Sequence, residues 1–106
     1  MSKYLIKASY SVEGVRGVRK EGGSSRRDTV EKMLAGLGGK LESFYFAFGV
    51  EDVFVIAEIP DAITAAALGL TINSSGLVSV STTVLLTPED IDQATKKSIN
   101  YRAPGT

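Results

Sequence analysis

Two β-rich runs, residues 41–48 and 53–59, stand only four residues apart, and both carry large apolar side chains at odd and even positions alike. In the first, Phe44, Phe46 and Phe48 fall on one side, with Leu41, Tyr45 and Ala47 on the other. In the second, Val53 and Val55 oppose Phe54 and Ile56. Two such runs joined by Gly49-Val50-Glu51-Asp52 form a hairpin. Because strand side chains alternate between faces, this hairpin has two apolar surfaces to hide. A single layer of helices shelters one of them, and a contiguous apolar patch on the other is uncommon in a monomer. A second copy stacked face to face is the simplest cover, so a homodimer or higher homo-oligomer is expected. The alternative is cover by the chain's own C-terminal segment.

The remaining elements fit around that hairpin. Residues 4–10 read as a strand with Tyr4, Ile6, Ala8 and Tyr10 on one face. Residues 11–23 are basic and interrupted by glycine; Val12, Val15 and Val18 suit a short helical turn that Gly14 and Gly17 weaken. A firmer helix follows. Ser25 and Asp28 stand at capping-box spacing, Val30, Met33, Leu34 and Leu37 form one apolar stripe, and Gly38-Gly39 ends it. After the hairpin, Asp61 is placed to cap a small-residue helix over 62–72. Residues 77–86, rich in Val and Thr, make a fourth strand. Thr87-Pro88-Glu89-Asp90 opens a terminal helix reaching to about Ser98, and residues 100–106 form a loose tail.

The order β-α-β-β-α-β plus a terminal helix matches the split βαβ, or ferredoxin-like, pattern: an α+β fold with a four-stranded antiparallel sheet and helices on one face. A chain of 106 residues is expected to be one domain, residues 1–106.

Composition removes whole classes of chemistry. With no Cys and no His, thiolate and imidazole metal sites and His-containing triads are absent, and no metal or cofactor is expected. The glycines form neither dinucleotide nor P-loop patterns. Twelve basic residues balance twelve acidic ones, so nucleic-acid binding has no support from net charge. Phe44-Tyr45-Phe46-Ala47-Phe48 lacks the leading Lys/Arg-Gly of an RNA-recognition sheet. No apolar run approaches the roughly 18 residues of a membrane span, and the first residues do not read as a signal peptide. Cytoplasmic localisation is the resulting expectation, with no membrane partner.

Charge is nonetheless segregated. Residues 1–40 carry nine basic and four acidic groups, residues 41–95 eight acidic and no basic ones, and residues 96–106 three basic ones. One reading is complementarity between docking copies; the other is a chance division among solvated elements. Within the basic stretch, Arg16, Arg19, Lys20, Arg26 and Arg27 could receive a phosphate or carboxylate near the firm helix's N-terminus, or could merely be solvated. Glu51 and Asp52 read as solvated turn residues.

If Phe44, Phe46, Val53, Val55, Val78 and Val80 meet the helices, the opposite face holds Lys7, Ser9, Tyr45, Glu58, Ser79, Ser81 and Thr83. Enclosed between sheets, Lys7, Tyr45 and Glu58 are candidate catalytic residues, with Lys7 and Tyr45 as the acid–base pair. Ser9, Ser79, Ser81 and Thr83 are candidates for ligand binding. The plain alternative is a hydrogen-bonded interface with Lys7 and Glu58 paired or at its rim.

Leu37-Gly38-Gly39-Lys40-Leu41, Phe44-Tyr45, Gly49-Val50-Glu51-Asp52-Val53, Val55-Ile56, Pro60-Asp61 and the exit at Leu86-Thr87 resemble the GYD-domain family over about residues 3–98. The family takes its name from a Gly-Tyr-Asp turn. Gly49 and Asp52 match that turn, while Glu51 stands where the tyrosine belongs. The resemblance implies a ferredoxin-like domain related to dimeric α+β barrels and no established reaction. Relatives of that fold include cofactor-free monooxygenases and isomerases. Two functions follow as expectations: a self-associating domain that binds a small ligand, or a small cofactor-independent oxygenase or isomerase acting on an apolar or aromatic compound.

Overall fold

In the computed structural model, which describes residues 1–106, the chain begins with β1 (Ser2–Tyr10). Tyr4, Ile6 and Ala8 are buried and alternate with Lys3, Leu5 and Lys7 on the other face. Next come α1 (Val12–Glu21), α2 (Gly23–Gly36), β2 (Lys40–Phe46) and β3 (Val53–Ile59). The chain continues with α3 (Ala62–Ser74), β4 (Val78–Leu85) and α4 (Pro88–Thr95). The strands form one antiparallel sheet in the order β2-β3-β1-β4. This α+β topology is the ferredoxin-like arrangement expected from the pattern, with α1 as an additional helix before α2.

The residues between β1 and α2 form a full helix rather than a short turn. Ser11 caps it, its Oγ accepting from the Gly14 N–H at 3.1 Å. Gly14 is also where the helix meets the β4 entrance so closely that a Cβ would lie 2.3 Å from the Leu77 carbonyl oxygen. The capping box expected at Ser25 and Asp28 does not form. Gly22, with φ 88°, turns the corner from α1 straight into α2, so the helix is under way before Ser25 can cap it. Asp28 instead pairs with Arg27 at 3.3 Å.

The end of α2 is as expected and has a double cause. Gly38 takes the left-handed conformation (φ 78°), letting its N–H reach the Ala35 carbonyl and the Gly39 N–H reach the Leu34 carbonyl, the Schellman closure. Gly39 then passes so near β3 that a Cβ would sit 2.5 Å from the Glu58 carbonyl oxygen.

β2 differs from the simple alternating reading. A bulge between Leu41 and Ser43 shifts the register against β3, so Leu41 packs on the core with Phe44 and Phe46. The strand stops at Phe46. Phe48 lies beyond it with φ 52°, mostly exposed, its ring stacked on that of Phe46 at 5.7 Å. At the start of α3, Asp61 caps as expected, accepting from the Thr64 N–H at 2.8 Å. That bond holds its carboxyl below the ordinary range. Thr87 and Asp90 close a reciprocal capping box on α4.

The core lies between the sheet and the helices. Ile6, Val55, Ala57 and Ile59 of the sheet pack with Leu34 of α2 and with Ala65 and Leu68 of α3. Leu34 is fully buried. The C-terminal segment does not cover the sheet's second face: every residue from Leu86 to Thr106 is exposed, and the terminal helix stops at Thr95. The chain is elongated accordingly. Its radius of gyration is 17.0 Å and its long axis 57 Å, against about 13 Å of gyration radius for a compact chain of this length.

Two substitutions test this packing by urea unfolding. Leu34→Ala removes a fully buried side chain and lowers stability by about 3 kcal/mol. Gly39→Ala forces β3 and the α2 terminus apart and destabilises more than Gly17→Ala, where a Cβ meets nothing within 4 Å. Equal losses at the two glycines would contradict the close approach.

Candidate functional site

Strand register places the predicted site residues together on the open face of the sheet. Tyr45, Phe54, Lys7 and Ser81 form one row across β2, β3, β1 and β4, and Ser43, Ile56, Leu5 and Thr83 form the next. Glu58 lies beyond them, between Lys40 and Lys3. Ser9 and Ser79 face each other at the opposite end. Lys7, Tyr45, Ser9, Ser79, Ser81 and Thr83 thus share one surface, but Lys7 and Glu58 do not pair. Lys7 meets Glu51 at 3.9 Å and Lys3 meets Glu42 at 3.1 Å. Tyr45 is 71% exposed and Phe54 36%. The surface is apolar toward β2 and β3, hydroxyl-bearing along β4, and has no helix above it.

A second locality lies on the other side of the sheet, where β1 ends under α1 and α2. An apolar cavity of about 50 Å³ opens there between sheet and helices, walled by residues such as Ile6, Val30, Phe44, Val55 and Leu68. Its one charged wall residue is Arg26, from the first turn of α2. Tyr10 and Arg26, with Ile72 and Val78, also border an outer groove of about 390 Å³ that runs beneath α1. Tyr10 is fixed by Asp52: the Asp52 carboxylate accepts from the Tyr10 N–H at 2.8 Å, and the Asp52 N–H donates to the Ala8 carbonyl at 2.8 Å. Asp52 is therefore a structural clasp between the hairpin turn and the end of β1, and it is half-buried rather than solvated.

Burial pushes the Tyr10 phenol above its ordinary value of 10.0. The Arg26 guanidinium beside it opposes the rise through charge and hydrogen bonding, and Asp52 adds to it. At neutral pH the phenol is a hydrogen-bond donor. Arg26 belongs to the basic stretch that stood out in the sequence. In the sequence Tyr10 reads only as a strand residue and Asp52 only as a turn residue, because only the fold brings residues 10, 26 and 52 together.

The family model described as GYD domain matches residues 4–95. The chain belongs to the GYD-domain family. No curated protein and no solved structure matches it. In this GYD domain the turn motif has a readable physical role. The Gly49 N–H bonds the Glu51 carbonyl at 3.0 Å, closing the turn, and Asp52 ties that turn to β1. Glu51 reaches over the open face to Lys7. No group of three or more acidic residues is placed to hold a metal ion. No helix is long and apolar enough to cross a membrane.

Ultraviolet titration of the tyrosines tests the Tyr10 environment. The neutral phenol is favoured in the folded state, so its contribution to stability is full below pH 10.0 and is lost as pH rises through the higher folded value. Tyr10→Phe should remove one late-titrating phenol. Arg26→Gln should move that phenol higher still, since the guanidinium favours the phenolate; a downward shift would contradict the contact.

Proposed function

We propose that this GYD domain is a self-associating ligand-binding domain. Two copies pair through their open sheet faces, and each holds a small molecule in the cleft between its sheet and helices. The observation that carries the pairing is the uncovered patch of Leu5, Tyr45, Phe54 and Ile56. The chain's own C-terminal segment leaves that patch open. Stacking two such faces about a two-fold axis gives each its complement without any new element.

Charge at the face suits burial. Lys3 and Lys7 are already matched to Glu42 and Glu51 within the chain, so pairing strands no lone charge at these positions. In this arrangement Lys7, Tyr45 and Glu58 serve as interface residues, and Ser79, Ser81 and Thr83 supply hydrogen bonds along its β4 side. The cleft supports a binding role over turnover. The groups at the inner cavity are a protonated phenol and a fixed cation, which hold a ligand but supply no base to abstract a proton. An aromatic substrate would also need more room than about 50 Å³, since a cavity of about 150 Å³ is the scale that admits benzene.

Light scattering and sedimentation equilibrium test the pairing. The wild-type mass should be twice the 11.2 kDa of one chain. Phe54→Asp should weaken pairing by about 30-fold or more, the weight of a hot-spot residue. Ile63→Asp, on the exposed side of α3, should leave it unchanged. A concentration-independent monomer, or equal effects of the two substitutions, would overturn the proposed interface.

A further inference from the structure

The first turn of α2 is built against the ordinary preference for its position. Helix N-termini favour negative charge, yet this turn has no acidic residue and carries Arg26, with Arg27 following. Arg27 is matched by Asp28. Arg26 is not: the chain's three ion pairs are Lys3–Glu42, Lys7–Glu51 and Arg27–Asp28. A half-buried, unpaired guanidinium therefore stands at the mouth of an apolar cavity, beside the Tyr10 hydroxyl. A planar fork of donors in that setting fits a carboxylate.

The opposite wall of the groove narrows the ligand. α1 presents Glu13, Gly17 and Glu21 at successive four-residue steps, so the three share one face, and that face borders the same groove as Arg26. Neither glutamate is in an ion pair. A simple anion would gain Arg26 but face two carboxylates. A zwitterion is matched on both sides. The apolar cavity of about 50 Å³ adjoins this groove at Tyr10, Arg26, Ile72 and Val78, away from the two glutamates, and has room for one or two methyl-sized groups, taking a water's share of volume as about 30 Å³.

We propose that the cleft binds a free α-amino acid with a short branched alkyl side chain. Its carboxylate lies on Arg26 with the Tyr10 hydroxyl as a second donor, its ammonium faces Glu13 or Glu21, and its side chain enters the cavity. This rests on the ligand-binding reading above and adds the chemical class.

The test is calorimetric and NMR titration of the full chain with L-valine, L-leucine, L-isoleucine, L-phenylalanine, isovalerate and isobutylamine. At least one of the three branched amino acids should bind about tenfold or more tighter than the other three compounds, the effect of losing one charged hydrogen-bond partner or exceeding the cavity. The methyl resonances of Val30 and Leu68 should shift with it. Arg26→Gln should weaken that binding by about tenfold or more. Gly17→Phe, placed where an added Cβ meets nothing within 4 Å, should block the groove while the circular dichroism and melting temperature stay at or above wild type. If isovalerate, isobutylamine or L-phenylalanine binds as tightly and is blocked by Gly17→Phe, the amino-acid assignment falls and the ligand cleft stands. If none of the compounds binds, the amino-acid assignment falls. A fragment screen that also leaves the cleft's resonances unmoved would remove the cleft reading with it.

Discussion

A sheet has two faces, and the helices of this chain lie on only one. That constraint runs through every other feature. Helices α2 and α3 bury Ile6, Val55, Ala57 and Ile59 on one face and leave Leu5, Phe54, Ile56 and Tyr45 on the other without an overlying layer. Apolar area left in water forfeits about 25 cal/mol per Å² relative to burial. The terminal helix could have closed the face had it folded back. Its capping box at Thr87 and Asp90 starts it in an exposed segment instead, and every residue from Leu86 onward stays exposed. The sheet is thus covered by helices on one side and open on the other.

Much of this architecture was legible in the sequence because it rests on local rules. Asp61 and Thr87 announce their helices by side-chain capping, Gly38-Gly39 announces a helix end, and two-residue alternation sorts β1 and β3 onto their correct faces. The errors fall where a local rule met a nonlocal one. Ser25 and Asp28 had the spacing of a capping box, but Gly22 had already turned the corner into α2. Alternation alone puts Leu41 on the open face, and the bulge between Leu41 and Ser43 turns it to the core. The face carrying Lys7, Tyr45, Ser79, Ser81 and Thr83 follows from alternation. The meeting of Tyr10 with Arg26 and Asp52 does not, since the three come from parts of the chain separated by 16 and 26 positions.

The glycine-rich segment 37–39 and the turn 49–52 have a common explanation. Leu37-Gly38-Gly39 permits α2 to stop and the backbone to pass against the Glu58 carbonyl, which fixes where β2 begins relative to β3. Gly49 to Asp52 fixes the other end of the same pair of strands and fastens it to β1 through the Ala8 carbonyl and the Tyr10 N–H. Both motifs govern the frame of the sheet. Within the closed turn, Glu51 carries its carboxylate to Lys7 on the open face.

Segregation of charge along the chain also becomes intelligible once the strand order is known. β1, from the basic first part, lies next to β3 and near β2, both from the acidic middle. The insertion of β1 between β3 and β4 therefore mixes in space what is separated in sequence. Lys3 reaches Glu42 and Lys7 reaches Glu51 across the sheet rather than across a subunit boundary. Such exposed pairs add only about 0–1 kcal/mol each to the fold. Their larger consequence lies in what they leave available. An apolar face whose cations are already neutralised can be covered by its twin at lower desolvation cost than one with lone lysines. Arg26, on the far side of the sheet, takes part in none of these pairs.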